Sequence, residues 1–211
     1  MWIQNAHKLC RNTLLIDTKM ALFLFGRFLI HFGGSIPYLF LPTLMLQSGF
    51  SLSQAATVLS MAAFTNTISR LAICAITDHP KAPNAMTTTI ISLLLSGAIM
   101  VCIPFSYEYY MYVILGMSYG FFCAPVASLL SIVIGEIAPL KDLNYWFGAV
   151  SFVQGIGTFI GPPFAGLLVD GFSKTDSTYG LMVAYVGGGA CMICSGLFCF
   201  MSASWNKTNC S

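Results

Sequence analysis

Six stretches of this chain are long and almost free of charge. A helix needs about 20 apolar residues to cross the hydrocarbon core of a bilayer. The stretches run approximately 20–46, 52–77, 85–104, 109–134, 145–168 and 180–203. Turn chemistry separates them: Gln47-Ser48-Gly49, Asp78-His79-Pro80-Lys81, Ser106 to Glu108, Pro139 to Asn144 and Asp170 to Thr178. Charged residues make up 8% of the chain and hydrophobic ones 57%, whereas a soluble domain carries roughly a quarter charged residues. So few charges do not cover a water-facing surface. The expected fold is all-α: a bundle of six helices in a lipid bilayer, residues 20–203, with an N-terminal segment, 1–19, and a tail, 204–211.

The same features exclude other classes. Residues 1–19 mix Lys8, Arg11, Asp17 and Lys19 with a few apolar residues. They lack the continuous apolar core of a signal peptide, and the first apolar run is too long for one. The net charge of +2 is small and dispersed, so nucleic acid is not an expected partner. Cys74, Cys102, Cys123, Cys191, Cys194 and Cys199 fall inside apolar runs, where a thiol behaves as a small hydrophobe. Cys191 and Cys194 form a CxxC without a nearby His or acid, which argues against a redox or metal site. No HExxH, GxSxG or Walker A sequence is present. No enzymatic activity and no cofactor is expected.

Lys and Arg collect on the cytoplasmic side of membrane proteins. An even number of spans puts both ends on one side, which then holds Lys8, Arg11, Lys19, Lys81, Lys141 and Lys207 against Lys174 alone on the other. Both termini are therefore expected in the cytoplasm. The glycosylation sequons Asn206-Lys207-Thr208 and Asn209-Cys210-Ser211 would face the cytoplasm unmodified.

Polar residues inside the spans need a physical reason. Arg near the bilayer centre costs at least ~2.5–3.5 kcal/mol. Arg70 lies seven residues before the end of the second span, roughly 10 Å deep at helical rise. Asn66 is four residues earlier on the same face, and Ser69 is adjacent. An Arg in a cavity grips a carboxylate with two parallel hydrogen bonds. The competing explanations are snorkelling to the headgroups and pairing with a carboxylate elsewhere. Arg27 and His31 form a second i, i+4 pair. Arg27, near the cytoplasmic end, is expected to snorkel. His31 is deeper; an imidazole changes charge near neutral pH, which makes it the candidate coupling residue. Glu136, Asp142 and Asp170 are expected at solvated helix ends.

The glycine pairs Gly116/Gly120 and Gly157/Gly161 have the spacing that lets helices approach closely. Pro37, Pro42, Pro125, Pro162 and Pro163 lie in or near the ends of spans, where the carbonyls they free are tolerated if neighbours or a wet cavity satisfy them.

The stretch from Gly161-Pro162-Pro163 through Ala165-Gly166-Leu167 to Asp170 resembles the GPPxAGxLxD signature of the monocarboxylate transporter family, solute carrier family 16. Asn66-Thr67-Ile68-Ser69-Arg70 with Thr77-Asp78-His79-Pro80 is similar to that family's eighth helix and following loop, and Gly49-Phe50-Ser51 and Tyr119-Gly120-Phe121 also fit. The resemblance extends from about Met20 onward and is to the carboxy-terminal half only.

It implies the fold of a six-helix half of a major facilitator superfamily twelve-helix transporter, each half a three-plus-three inverted repeat. It also implies transport of a monocarboxylate or related small organic anion by alternating access, as symport in the plasma membrane. By resemblance Arg70 matches the family arginine that binds the substrate carboxylate. Asn66, Ser69 and Tyr119 are the further candidate substrate-binding residues, within a fourth-span region from Tyr119 to Ala124. Proton-linked members carry Asp where this chain has Asn66, which cannot titrate. A lone half requires the missing amino-terminal six helices or a homodimer partner. The alternative is a transport-inactive half acting as a membrane interaction or regulatory protein.

The orientation has a direct check. An epitope tag after Ser211 is expected to bind antibody only after permeabilisation, and staining of intact cells would refute cytoplasmic termini.

Overall fold

The structure, a computed structural model, describes residues 2–77, 83–138, 142–172 and 177–208, with side chains described over 18–77, 83–138, 142–172 and 179–203. Several charges that set the expected orientation, Lys8, Arg11, Lys81, Lys141, Lys174 and Lys207, and both sequons lie outside the described side chains.

The described residues form helices α1 (Trp2–Gly34), α2 (Ile36–Gln47), α3 (Leu52–Thr77), α4 (Ala85–Cys102), α5 (Tyr109–Ser128), α6 (Leu130–Ile137), α7 (Leu143–Phe172) and α8 (Ser177–Thr208), with a 3-10 turn at Ile103–Phe105. No strand occurs among them. Six segments are long and apolar enough to cross a membrane: Thr18–Gln47, Leu52–Thr77, Ala85–Phe105, Tyr109–Ser128, Leu143–Phe172 and Tyr179–Ala203. The helix of the first span starts well before residue 20, at Trp2.

Two spans expected to be continuous are broken. The first divides at Ser35, between α1 and α2. Pro37 stands in the first turn of α2; it has no N–H to continue the ladder from α1, so the helix restarts. The second break is at Leu129, between α5 and α6. Pro125, one turn earlier, leaves the Phe121 carbonyl without its helical donor. The α2–α3 turn is closed by Gly49 at φ 87°, a backbone conformation that suits glycine. By contrast, α7 runs unbroken through Pro162 and Pro163.

The packing repeats itself. The first span packs on the fifth (α1 on α7) and the sixth (α1 on α8). The fourth packs on the second (α5 on α3) and the third (α5 on α4), and the third packs on the sixth (α4 on α8). Exchanging spans one, two and three with four, five and six maps these contacts onto themselves, while the packing of the fifth span on the sixth (α7 on α8) has no comparable counterpart between the second and third. Three crossings per unit invert the second unit relative to the first, which is the inverted-repeat architecture of secondary transporters.

The exchange also relates α3 to α7, and these two are the least covered. Within the most apolar stretch of each span, only 11% of α3 and 17% of α7 is buried, against 39 to 44% in the other four. Large side chains such as Phe64, Leu71, Phe159 and Leu167 are exposed on them.

Glycines set the closest approaches. On α5, a Cβ at Gly116 would meet the Val58 side chain at 3.0 Å, and one at Gly120 would meet the Ala62 carbonyl of α3. On α7, a Cβ at Gly157 would meet the Phe28 carbonyl of α1 at 2.8 Å, and one at Gly161 would meet that of Phe32. The expected small-xxx-small spacing thus joins α5 to α3 and α7 to α1, backbone against backbone.

Candidate functional site

A cavity of about 540 Å³ opens between four spans, within the range of small-molecule sites. Each wall is one helical face. From α1 and α2 it takes Arg27, Ile30, His31, Gly34, Ser35 and Tyr38, an i, i+3, i+4, i+7 stripe that continues across the break. From α3 come Ala63, Asn66, Thr67 and Arg70 with the same spacing, and from α5 and α6 Cys123, Val126, Ala127 and Leu130. α7 contributes Gln154 and Thr158.

Arg70 is exposed on its helix and lies on the cavity wall. Its Nε donates to Asn66 Oδ1 at 3.0 Å, and Asn66 Nδ2 donates to the Gly120 carbonyl of α5 at 2.9 Å. Asn66 is thereby fixed at both ends of its amide. It holds the Arg70 stem and leaves the two Nη nitrogens, the end-on fork of the guanidinium, for a ligand. The Gly120 approach to α3 makes this relay possible, since any side chain there would push the carbonyl out of reach.

Ser69 and Tyr119 take other places. Ser69 is buried and its hydroxyl donates to the Phe121 carbonyl at 2.7 Å, the same carbonyl that Pro125 leaves free. One residue from Arg70 is a turn of about 100° around a helix, so Ser69 faces α5 while Arg70 faces the cavity. Tyr119 is also buried, and its hydroxyl donates to the carbonyl of Gly34, the last residue of α1, at 2.8 Å. Its ring packs beside Tyr38 at 5.8 Å. Neither residue lines the cavity; each caps a backbone carbonyl at a helix irregularity. Within the expected fourth-span region, Cys123 does line it.

On the opposite wall, His31 Nδ1 is 3.4 Å from Thr158 Oγ1, which also donates to the Gln154 carbonyl at 3.0 Å. The hydroxyl has one proton, so with that proton on Gln154 it accepts from Nδ1–H, and His31 Nε2 has no hydrogen-bond partner among the described residues. The Gly157–Phe28 approach brings Thr158 to His31, as Gly120 brings the α5 carbonyl to Asn66. Gln154 and Thr158 were not singled out from the sequence, although their position beside the Gly157/Gly161 stripe was a usable signal.

Arg27 corrects an expectation. It does not snorkel: it is 1% exposed. Both of its Nη nitrogens donate to the Val126 carbonyl at 3.1 Å, and its guanidinium carbon lies 5.4 Å from the centre of the Phe23 ring. Val126 is among the last four residues of α5, whose carbonyls lack helical donors and carry the negative end of the helix dipole. Arg27 is the C-terminal cap of α5.

The carboxylates with described side chains, Glu108, Glu136, Asp142 and Asp170, stand at or beside helix ends, and none lines the cavity. No group of three His, Cys, Asp or Glu side chains among the described residues is placed to hold a metal.

Inverted-repeat packing around a cavity between broken helices is the architecture that secondary transporters share. Residues 23–207 match the family model described as Major Facilitator Superfamily, and the chain belongs to that superfamily, whose members are transporters rather than enzymes. It is 27% identical to Monocarboxylate transporter 13 of Bos taurus over 174 residues, 82% of this chain and 41% of that protein. It is 23% identical to Monocarboxylate transporter 1 of Homo sapiens over 195 residues, 92% of this chain and 38% of that protein. Against Monocarboxylate transporter 9 of Gallus gallus it is 26% identical over 125 residues, 58% of this chain and 23% of that protein. The chain thus spans less than half the length of these relatives.

The geometry separates clamp from contact at Tyr119. Tyr119→Phe removes the donor to Gly34 and is expected to destabilise the bundle by about 1–3 kcal/mol, seen as a lower melting temperature in detergent. Apparent substrate affinity is expected to stay within about twofold of wild type, since the hydroxyl lies outside the cavity wall. A large loss of affinity at unchanged melting temperature would make Tyr119 a substrate contact.

Proposed function

We propose that this chain is one six-helix half of a secondary transporter that moves a small organic anion, a monocarboxylate or a related metabolite, by alternating access. The observation that carries this reading is the Arg70 fork on a cavity without a carboxylate, with its stem tied through Asn66 to the α5 backbone. A permanent cation at membrane depth costs several kcal/mol unless something neutralises it, and a transient anionic substrate does so. The names of the monocarboxylate transporters it resembles agree. The breaks at Ser35 and Leu129 lie beside the cavity, where bending of the first and fourth spans would open or close it.

Asn66 bears on coupling. Its amide donates to Gly120 and accepts from Arg70. An ionised carboxylate in its place would set an oxygen against the Gly120 carbonyl, and only a protonated one would donate there. The amide supplies the protonated arrangement without a proton, so position 66 adds no proton step, and His31 is the remaining titratable candidate for coupling. The expected setting is the plasma membrane with both termini cytoplasmic. The exposed sides of α3 and α7 would meet a second six-helix body, either an amino-terminal half or another copy. The same exposed sides of α3 and α7 support a second reading, a transport-inactive half that binds a membrane partner.

In cells expressing the protein, Arg70→Ala is expected to abolish carboxylate uptake at unchanged surface level. Arg70→Lys keeps the charge but loses the fork, and should fall by about tenfold or more. Undiminished uptake by Arg70→Ala would refute the assignment. A wild-type protein that carries no organic anion yet co-purifies with a membrane partner would favour the second reading.

A further inference from the structure

The cavity has two permanent cations, and the site described so far uses one. Arg27 and Arg70 both line it, and among the described residues no carboxylate lines it with them. The described lining supplies no other permanent charge: α1 adds His31 to it, and the α5, α6 and α7 walls contribute Cys123, Val126, Ala127, Leu130, Gln154 and Thr158.

Arg27 is incompletely satisfied. Its two Nη–H bonds go to the single Val126 carbonyl, and its buried Nε has no partner among the described residues. Five guanidinium N–H groups meet one described acceptor. The α5 terminus offers about half a negative charge and the Phe23 ring face a weaker attraction, short of the full charge in a setting where an unpaired buried charge is costly. Ser35, on the same wall, also has a buried hydroxyl without a partner.

The two cations stand within a few ångströms of one another in depth, counted along their helices. Arg27 is nine residues from Thr18, roughly 14 Å along the first span at helical rise, and Arg70 is seven residues from Thr77, roughly 10 Å along the second. The short α2–α3 turn puts Thr18 and Thr77 at the same membrane face. Their anchors on α5, Val126 and Gly120, are six residues apart, about 9 Å along that helix. Both line one cavity of about 540 Å³, which has room for a small molecule with two anionic ends.

We propose that the cavity takes a dianion, a short dicarboxylate, with one carboxylate on the Arg70 fork and the other on Arg27. This rests on the carboxylate role of Arg70 proposed above. One bound dianion would neutralise both guanidinium groups, leaving the loaded cavity without net charge from these groups, whereas a monoanion leaves one cation uncompensated.

The test is uptake by cells expressing the protein, comparing three- to five-carbon straight-chain diacids with their monomethyl esters, which match them in size and lose one charge. Wild type is expected to prefer at least one diacid over its ester by about tenfold or more, the worth of one charged hydrogen-bonded contact. Arg27→Gln should collapse that preference to near unity, a ratio of diacid to ester uptake that a lower amount of folded protein would leave unchanged. Arg27→Lys, which keeps the charge, should retain part of it. Wild-type preference for the esters, or no uptake of any diacid, overturns the proposal whatever the variants do. A parallel loss of both substrates in Arg27→Gln also overturns it and leaves Arg27 as a cap of α5 alone. Failure of the underlying site shows differently, as uptake of both substrates untouched by Arg70→Ala.

Discussion

The Gly120 carbonyl reaches Asn66 only because no side chain stands between the backbones of α3 and α5. A Cβ at Gly120 would strike the Ala62 carbonyl, so the two helices meet as bare backbone. From that contact follow the 2.9 Å bond to Asn66 Nδ2 and the 3.0 Å bond from Arg70 to Asn66 Oδ1. The inverted counterpart obeys the same rule, with Gly157 and Gly161 against α1 and Thr158 beside His31. Lipid tails give no hydrophobic force between helices, so close packing and hydrogen bonds to exposed backbone have to supply it. The glycine seams thus do two jobs: they hold the spans together and deliver backbone carbonyls as anchors for the polar side chains.

The irregular helices follow a matching pattern. At three places beside these irregularities a polar side chain takes a backbone carbonyl: Tyr119 on Gly34, Ser69 on Phe121, Arg27 on Val126. Unsatisfied backbone groups cost several kcal/mol in a medium without water, so these side chains are committed to structure first. Arg70 differs in that its fork stays free. Its free fork makes Arg70 the primary candidate ligand contact, whereas Arg27 serves as a cap and keeps only part of its hydrogen-bonding capacity for a ligand.

Much of this was legible in the sequence. Six spans follow from charge scarcity and turn spacing, and the Arg70–Asn66 pair follows from a period of 3.6. Two kinds of feature were hidden. Spacing along one helix does not say what stands opposite, so Ser69 and Tyr119 looked like neighbours of the site when their hydroxyls are turned to carbonyls of other elements. Depth along a span does not say which way a side chain points. Arg27 looked close enough to the headgroups to snorkel, yet its face is the one closed over by α5. The breaks at Ser35 and Leu129 were hinted at by Pro37 and Pro125, but their positions depend on which freed carbonyls find a donor. The pairing of inverted repeats is a property of tertiary packing that no single span reveals.

Arg70 is proposed as the anion anchor of a cavity whose described lining holds no carboxylate. A structure of the protein with a transported organic acid bound is the decisive measurement. The expected result is a carboxylate with its oxygens about 3 Å from both Arg70 Nη nitrogens, with Nε still on Asn66. An acid bound away from Arg70, or an Arg70 fork paired with a carboxylate of the protein while substrate is present, would contradict it.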